Sequence, residues 1–239
     1  MNTDWLEEEG ISSYGTLPPQ NAEEKASSPK KIPELETLTI KSELSKHKIW
    51  ELAYYQPYFD VDTQTVFSRL KSTVNMISDG SFFENKQPDM YVPFWTATTL
   101  IFLFAAISAN SVSDTAVSQS AGAKLVSIAS FMYSVAFLIP SIGYCYASHE
   151  GSSVSMIELV ALYGYSLIPF LFAGIICIFS HYIVRWCAMI FGCAWASYFF
   201  YKWIPIQNDA VLESKKYAIC GLASLGHILL VILANTYFF

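Results

Sequence analysis

The sequence predicts an all-α fold: a polytopic membrane protein with five transmembrane helices and a cytosolic N-terminal tail. Two observations support this. From about residue 93 to residue 239, long apolar segments alternate with short polar breaks. Each segment is also close to the roughly 20 residues with which a helix crosses a hydrocarbon core of about 30 Å, and is too long for a membrane strand. The predicted spans are Pro93–Ala109, Leu125–Ala147, Met156–Phe179, Ile183–Tyr201 and Tyr217–Phe239.

The chain is predicted to have three parts: a disordered cytosolic arm at 1–48, a cytosolic juxtamembrane segment at 49–90 and a membrane domain at 91–239. The first 89 residues contain 9 Lys or Arg and 15 Asp or Glu, whereas the remainder has 5 of each, so the tail carries the whole net charge of -6. The arm is rich in Glu, Lys, Ser and Pro and has few aromatic residues. Such a composition does not bury enough apolar surface to fold alone.

The orientation is predicted from charges near the spans. No apolar stretch of signal-peptide length follows the N-terminus, so the first span is expected to direct insertion. Lys and Arg are enriched on the cytoplasmic side of a membrane protein. With the N-terminus in the cytosol, that side has six such residues and the lumenal side has two. The cytosolic set is Arg69, Lys71, Lys86, Lys202, Lys215 and Lys216, and the lumenal set is Lys124 and Arg185. The C-terminus is then lumenal.

The juxtamembrane segment combines an aromatic cluster with an amphipathic helix. Tyr54, Tyr55, Tyr58 and Phe59 come just before two acidic residues, Asp60 and Asp62, that can cap a helix. The next stretch is predicted to be a helix with one apolar and one polar side. Its apolar side is Val66, Phe67, Leu70, Val74 and Ile77, and its polar side is Arg69, Lys71, Ser72 and Asn75. Two interpretations are open: the helix packs on the bundle, or it docks a cytosolic partner.

Ionisable residues give little support to an enzyme. The four histidines show no metal-ligand spacing, so we expect no catalytic residue, metal site or cofactor, and we predict no nucleic-acid partner. His227 is predicted to lie inside the last span and to hydrogen-bond a neighbouring helix. Glu158 lies near the start of the third span, where it is either interfacial or buried.

Small residues and prolines indicate how the spans pack. Ala188, Gly192 and Ala196 are four residues apart on the fourth span, which predicts a stripe that lets another helix approach closely. A neighbour within the bundle is the favoured occupant, and association between copies is the alternative. Pro140 and Pro169 lie inside predicted spans and are expected to kink or interrupt them.

Three local sequences go beyond composition. They are Tyr54-Tyr55-Gln56-Pro57-Tyr58-Phe59-Asp60-Val61-Asp62-Thr63, Asp89-Met90-Tyr91-Val92-Pro93-Phe94-Trp95 and, in the third span, the stretch from Glu158 through Tyr163-Gly164-Tyr165-Ser166 to Pro169. Together they resemble the Yip-domain family of Rab-interacting, five-span membrane proteins of the Golgi and endoplasmic reticulum. The family's first membrane motif is usually Asp-Leu-Tyr-Gly-Pro-Phe-Trp, so Met90 and Val92 depart from it. The tyrosine-rich block is most similar to the branch of the family that carries Phe-Asp-Val-Asp-Thr.

The resemblance implies an adaptor in vesicle-mediated transport between the endoplasmic reticulum and the Golgi. Its implied partners are prenylated Rab GTPases and other Yip-family or related five-span proteins, with homo- or hetero-oligomers possible in the bilayer. Partner binding is then expected in the juxtamembrane segment rather than in the arm. The expected contact residues are Tyr54, Tyr55, Tyr58, Phe59, Asp60, Asp62, Asp89, Tyr91 and Pro93.

Two other function classes fit the sequence. A transporter, channel or lipid scramblase would use Glu158, Tyr163, Tyr165 and His227 around a polar cavity between kinked helices. A membrane-shaping protein would insert its amphipathic helix into one leaflet as a wedge. A water-filled path would favour the first class, and tubulation of vesicles by the purified protein would favour the second.

Overall fold

The computed structural model describes residues 51–75, 82–83, 87–111, 117–152, 154–179, 181–204 and 210–238. The predicted arm at 1–48, together with Ile77 and Lys86, lies outside these residues. The described part of the chain is helical and contains no strand, which confirms the all-α prediction. The helices are α1 Leu52–Phe59, α2 Thr63–Val74, α3 Tyr91–Ser111, α4 Val117–His149, α5 Met156–Ser166, α6 Ile168–Ile178, α7 Tyr182–Trp203 and α8 Ala210–Leu233, and a π-helical turn at Ala234–Phe238 follows α8.

Five helical segments are long and apolar enough to cross a membrane, as predicted. The first, second and fourth spans are α3, α4 and α7; the third combines α5 and α6; and the fifth combines α8 with the π-helical turn. Their apolar segments are Tyr91–Ala109, Gly122–His149, Met156–Ile178, Tyr182–Trp203 and Lys215–Tyr237. The first span therefore begins two residues before the predicted start at Pro93, and the second extends beyond Leu125–Ala147 at both ends.

The third span is broken near its middle. The N–H of Leu167 donates to the carbonyl of Gly164 at 3.2 Å, and the tighter turn separates α5 from α6. Pro169 follows in the first turn of α6, where a missing N–H costs no helical hydrogen bond. Pro140 behaves differently, because α4 continues through it without a break. Of the two prolines, only Pro169 thus accompanies an interruption of its span.

The third span is the centre of the bundle. In its most apolar window 78% of the residues are buried, compared with 28–50% in the other spans. Two of its glycines lie against the first span: a Cβ on Gly164 would be 2.3 Å from Cβ of Pro93, and one on Gly174 would be 2.5 Å from Cδ2 of Leu103. The two glycines are ten residues apart and so are their partners, so the first and third spans run in the same direction. At Gly164 a Cβ would also be 2.7 Å from the backbone Cα of Pro93, so only glycine permits this approach, whereas at Gly174 the flexible end of the Leu103 side chain would have to shift.

The small-residue stripe of α7 lies inside the bundle. Gly192 packs against α6, and a Cβ there would be 3.4 Å from both Cβ of Ala173 and Cδ1 of Phe170. Ala196 is fully buried and Ala188 is half-buried. The contacts of Gly192 are thus with a neighbouring helix of the same chain, which corresponds to the favoured interpretation of the stripe.

The amphipathic helix α2 packs on the bundle, with Val66 and Leu70 of its predicted apolar side against the core. Asp62 caps it by accepting a hydrogen bond from the N–H of Gln64 at 3.2 Å. Its buried residues are Arg69 and Thr73, whereas Phe67 and Val74 are 69% and 53% exposed. The assignment of Arg69 to the polar side was therefore wrong. Its physical cause is that Arg69 has a buried partner on the bundle, which lets a charged residue face inward.

Candidate interaction site at the juxtamembrane junction

Asp89 joins three elements of the structure. Its Oδ1 accepts a hydrogen bond from the N–H of Val92 at 3.3 Å and so caps α3. Its Oδ2 accepts from the hydroxyl of Tyr165 in α5 at 2.9 Å and from Nη1 of Arg69 in α2. The Asp89 residue is 1% exposed and Arg69 is 4% exposed, so the ion pair is removed from solvent. We call Arg69, Asp89 and Tyr165 the junction triad.

The guanidinium of Arg69 makes two further contacts, both with the segment that precedes α3. Nη2 donates to the carbonyl of Gln87 at 2.8 Å, and the guanidinium carbon lies 5.1 Å from the ring centroid of Phe83. Loss of one partner from a buried ion pair costs about 3–5 kcal/mol, whereas the intact pair stabilises little more than well-packed apolar residues would. The junction triad therefore determines where α2 lies more than it stabilises the bundle.

Aromatic packing fixes the same segment to the third and fourth spans. Phe82 makes edge-to-face contacts with three rings of these spans, at centroid distances of 4.9 Å to Tyr165, 5.3 Å to Phe199 and 5.6 Å to Trp203. Such pairs contribute about 0.5–1.5 kcal/mol each beyond the apolar area they bury. Phe82 therefore anchors the approach to α3 on the bundle, at the end where α3 begins and α7 ends.

Two further hydrogen bonds hold the juxtamembrane helices to the spans. Nε1 of Trp195 in α7 donates to the carbonyl of Thr73 at 3.1 Å, which satisfies one of the carbonyls left open in the last turn of α2. The N–H of Met90 donates to the carbonyl of Tyr58 in α1 at 2.8 Å. Together with the junction triad, these contacts make α1 and α2 part of the folded body.

The predicted partner-contact residues fall into two groups. Tyr58, Asp89 and Pro93 are buried and make the internal contacts described above, so a partner on this surface would not reach them directly. Burial, with a smaller effect from Tyr54, raises the pKa of the Tyr58 phenol, which keeps it uncharged. Tyr54 is half-buried. The exposed members are Tyr55, Phe59, Asp60, Asp62 and Tyr91.

Phe59 and Tyr91 belong to a continuous exposed aromatic surface where α1 meets α3. The ring centroids of Phe59 and Phe94 are 6.3 Å apart, those of Phe94 and Trp95 are 5.6 Å apart, and those of Tyr91 and Trp95 are 6.3 Å apart. Each of the four residues is at least 39% exposed. We call these four residues the aromatic face. Amphipathic and aromatic rings of this kind are favoured where a span meets the membrane surface.

Comparison with known proteins agrees with this arrangement of motifs. Residues 76–235 match the Yip1 domain. The chain belongs to the Yip1 domain family. It is 29% identical over 202 residues to a protein described as a YIPF1 homolog from Dictyostelium discoideum, an alignment that covers 81% of this chain and 57% of that protein. The chain thus spans little more than half the length of this curated relative. No solved structure matches it.

In this Yip1-domain chain, the two membrane motifs lie against each other. Asp89 and Pro93 come from the first motif, and they contact Tyr165 and Gly164 of the third-span motif, respectively. The valine that departs from the usual family motif, Val92, is buried in the first turn of α3. Its helical conformation does not require a glycine, so the departure leaves the junction intact.

The two tyrosines of the third-span motif of the Yip1 domain point to different sides of α5, as their spacing of two residues predicts. Tyr165 reaches the junction triad, while the ring of Tyr163 stacks on His227 at 4.9 Å with an interplanar angle of 3°. Within the described residues, the buried hydroxyl of Tyr163 has no hydrogen-bond partner.

His227 lies among the third, fourth and fifth spans. Its Nε2 is 2.9 Å from Oγ of Ser166, and its Nδ1 is 3.4 Å from Oγ of Ser197. The residue is fully buried. The contacts to α5 and α7 agree with the predicted interhelical hydrogen bond, and two serine hydroxyls supply the donor and acceptor that a neutral imidazole requires.

Glu158 is a half-buried residue that caps α5. The hydroxyl of Ser155 accepts from the N–H of Glu158 at 3.2 Å, and the Glu158 carboxylate accepts from the N–H of Ser155 at 2.9 Å. This capping box satisfies two otherwise open donors at the start of α5. The carboxylate therefore has a local structural role.

Arg69 and Phe82 were not predicted as site residues, although both are central to the junction. Phe82 gave no periodic signal because it lies outside the helical stretch. Arg69 did have a weak signal: it shares one side of α2 with Val66, Leu70 and Thr73, which pack against the bundle or are buried in it. An arginine surrounded by such neighbours on a helix suggests a buried acidic partner.

Proposed function

We propose that this Yip1-domain protein is a non-enzymatic membrane adaptor in vesicle-mediated transport between the endoplasmic reticulum and the Golgi. It binds prenylated Rab GTPases and related five-span membrane proteins, with the N-terminus in the cytosol and the C-terminus in the lumen. The observation that carries the proposal is the junction itself. The two membrane motifs of the family meet there, and the aromatic face is exposed beside them.

The aromatic face suits a partner that approaches along the membrane surface. A prenylated protein is held at the bilayer by its lipid, so its globular part lies near the surface from which α1 and the start of α3 project. Exposed Tyr, Trp and Phe side chains are the residues that most often dominate binding free energy at protein interfaces. The buried triad beneath holds these rings in one arrangement before the partner arrives, which lowers the entropy cost of binding.

The test compares substitutions in the aromatic face with deletion of the arm. The double substitution F59A/Y91A should reduce several-fold the amount of prenylated Rab GTPase that co-purifies with the full-length protein from cell membranes, while deletion of residues 1–48 should leave it unchanged. Y182A is the matched control, because Tyr182 is an exposed aromatic residue at the opposite end of the bundle. Loss of binding on deletion of the arm, with F59A/Y91A unaffected, would overturn the assignment.

Topology and location have a separate test. A proximity-labelling enzyme fused to the N-terminus should label cytosolic trafficking proteins, and the same enzyme fused to the C-terminus should label lumenal proteins of the Golgi and endoplasmic reticulum. Labelling of cytosolic proteins from both ends would contradict the proposed orientation. Correct topology without any trafficking protein would contradict the adaptor role.

A further inference from the structure

A groove of about 250 Å³ lies on the outer side of α6 and α7, below the last turn of α2. The α6 side is formed by Pro169, Phe172 and Ile176, and the α7 side by Ala188 and Trp195. Val74 of α2 also lines the groove. The break before α6 and the small side chain at position 188 create the concavity.

The walls of this groove offer almost no polar contact. The indole N–H of Trp195 in the lining donates to the carbonyl of Thr73 and so is already used. The hydroxyl of Thr73 donates to the carbonyl of Arg69 within α2. The other lining side chains are aliphatic or aromatic. An apolar cavity of about 150 Å³ is enough to bind benzene, so this larger groove can hold a segment of hydrocarbon chain.

The position of the groove determines which hydrocarbons can reach it. Its walls belong to the third and fourth membrane spans. From Ile168 to Ile176 the helix rises about 12 Å, which is less than half of a hydrocarbon core of about 30 Å. A water-soluble ligand would have to enter the bilayer to reach walls made of membrane spans, whereas lipid acyl chains are the molecules that surround such spans.

A positive charge lies close to the α2 side of the groove. Lys71 is exposed in the last turn of α2, three residues before Val74, and residues at this spacing are neighbours on a helix surface. Basic residues beside a membrane attract anionic lipid headgroups. The groove and this lysine together match the two parts of an anionic phospholipid.

We propose that the groove is a lipid-binding site that holds one acyl chain of an anionic phospholipid, with its headgroup beside Lys71. Packing of Val74 over the chain makes the juxtamembrane helix part of the site. This inference goes beyond the proposed adaptor function and does not depend on it, since a lipid site could be present whether or not a GTPase binds the aromatic face.

The test uses the full-length protein in nanodiscs that contain phosphatidylserine or phosphatidylcholine with a photoreactive group on one acyl chain. In the unsubstituted protein, phosphatidylserine should label peptides of α6 and α7 around Phe172 and Ala188 in preference to the exposed side of α4. Labelling spread evenly over all spans would mean ordinary contact with bulk lipid and would overturn the proposal. This result requires no variant, so it does not depend on how a substitution folds.

Substitutions then locate the two parts of the lipid. A188L places three more carbons in the groove, and because each displaced CH₂ changes affinity by about fourfold, labelling there should fall on the order of fiftyfold. A194L is the matched control, since Ala194 is exposed on the same helix and lies outside the groove. K71Q should abolish the preference for phosphatidylserine. Equal labelling of A188L and A194L, unchanged lipid preference in K71Q, or a dimer that A188L dissociates would each contradict the site.

Discussion

Replacement of Asp89 by asparagine tests the junction triad most directly. The introduced amide has one acceptor oxygen, which can continue to cap α3, while its NH₂ group replaces Oδ2 and can pair with Tyr165 only by donating to the hydroxyl oxygen. The negative charge and the acceptor that faced Arg69 are both lost, which leaves the buried guanidinium of Arg69 without its carboxylate. Breaking a buried pair in this way costs about 3–5 kcal/mol.

This cost should be local to the juxtamembrane segment. The triad connects α2 to the bundle, whereas the spans are held together by their own apolar packing, so D89N should release α2 without unfolding the membrane domain. Each 1.4 kcal/mol changes a population about tenfold, and the expected increase in amide hydrogen exchange over residues 63–74 is therefore about a hundredfold or more. Exchange in α6, which contributes no residue to the triad, should remain unchanged.

A second substitution distinguishes the cost of the buried, unpaired charge of Arg69 from the effect of the altered side-chain shape at position 89. R69M in the D89N background removes the uncompensated cation, and replacing both members of a buried pair by neutral groups is often close to neutral. The double variant should therefore exchange more slowly over α2 than D89N alone. S68A serves as a control, because Ser68 is exposed on the same helix. If D89N/R69M exchanges as fast as D89N, or if D89N matches the unsubstituted protein, the reasoning is refuted.

Three further predictions concern single contacts. G164A should lower the thermal denaturation temperature in detergent by the equivalent of about 1–3 kcal/mol, because overpacking is destabilising. G221A should not lower it, because nothing lies within 4 Å of the added carbon. Equal effects of the two substitutions would disprove the close approach at Gly164. W195F should speed hydrogen exchange only in the last turn of α2, since it removes one bond worth about 1 kcal/mol; an effect across the whole helix would contradict this. S155A should cost about 1 kcal/mol by the same melting assay, and no change would show that the capping box is dispensable.

The spans could be predicted from the sequence because their lengths and compositions are dictated by the bilayer. Each of the five apolar runs corresponds to a helical span in the structure. Burial within the bundle could not be predicted in the same way, because an apolar residue in a span is stable both inside the protein and against lipid. The exposure of Phe67 and Val74 shows the same limit at the juxtamembrane helix, where apolarity alone did not indicate which residues are buried.

The junction could be predicted only in part. An Asp shortly before an apolar run indicates a helix cap, and Asp89 does cap the first span. Its pairing with Arg69, twenty residues earlier, was not predicted, because helical periodicity assigns a charged residue to the polar side whatever its long-range partner. The contact of Gly164 with Pro93 was also missed: the sequence indicated a position that permits close approach, but the register between two spans is determined by the packing of the whole bundle.

The junction triad and the groove both depend on the position of α2. Arg69 lies on the bundle side of α2, and the last turn of α2 supplies Val74 to the lining of the groove. A lipid chain that binds only when α2 is docked must stabilise the docked state by the same free energy that docking contributes to lipid binding. Hydrogen exchange over α2 should therefore slow when anionic lipid is supplied, and D89N should lose bound lipid although no groove residue has changed. The carbonyl of Tyr58 in α1 accepts a hydrogen bond from the N–H of Met90, next to Asp89 of the junction triad. The lipid environment can therefore determine, through the triad, how firmly the aromatic face is held for a partner.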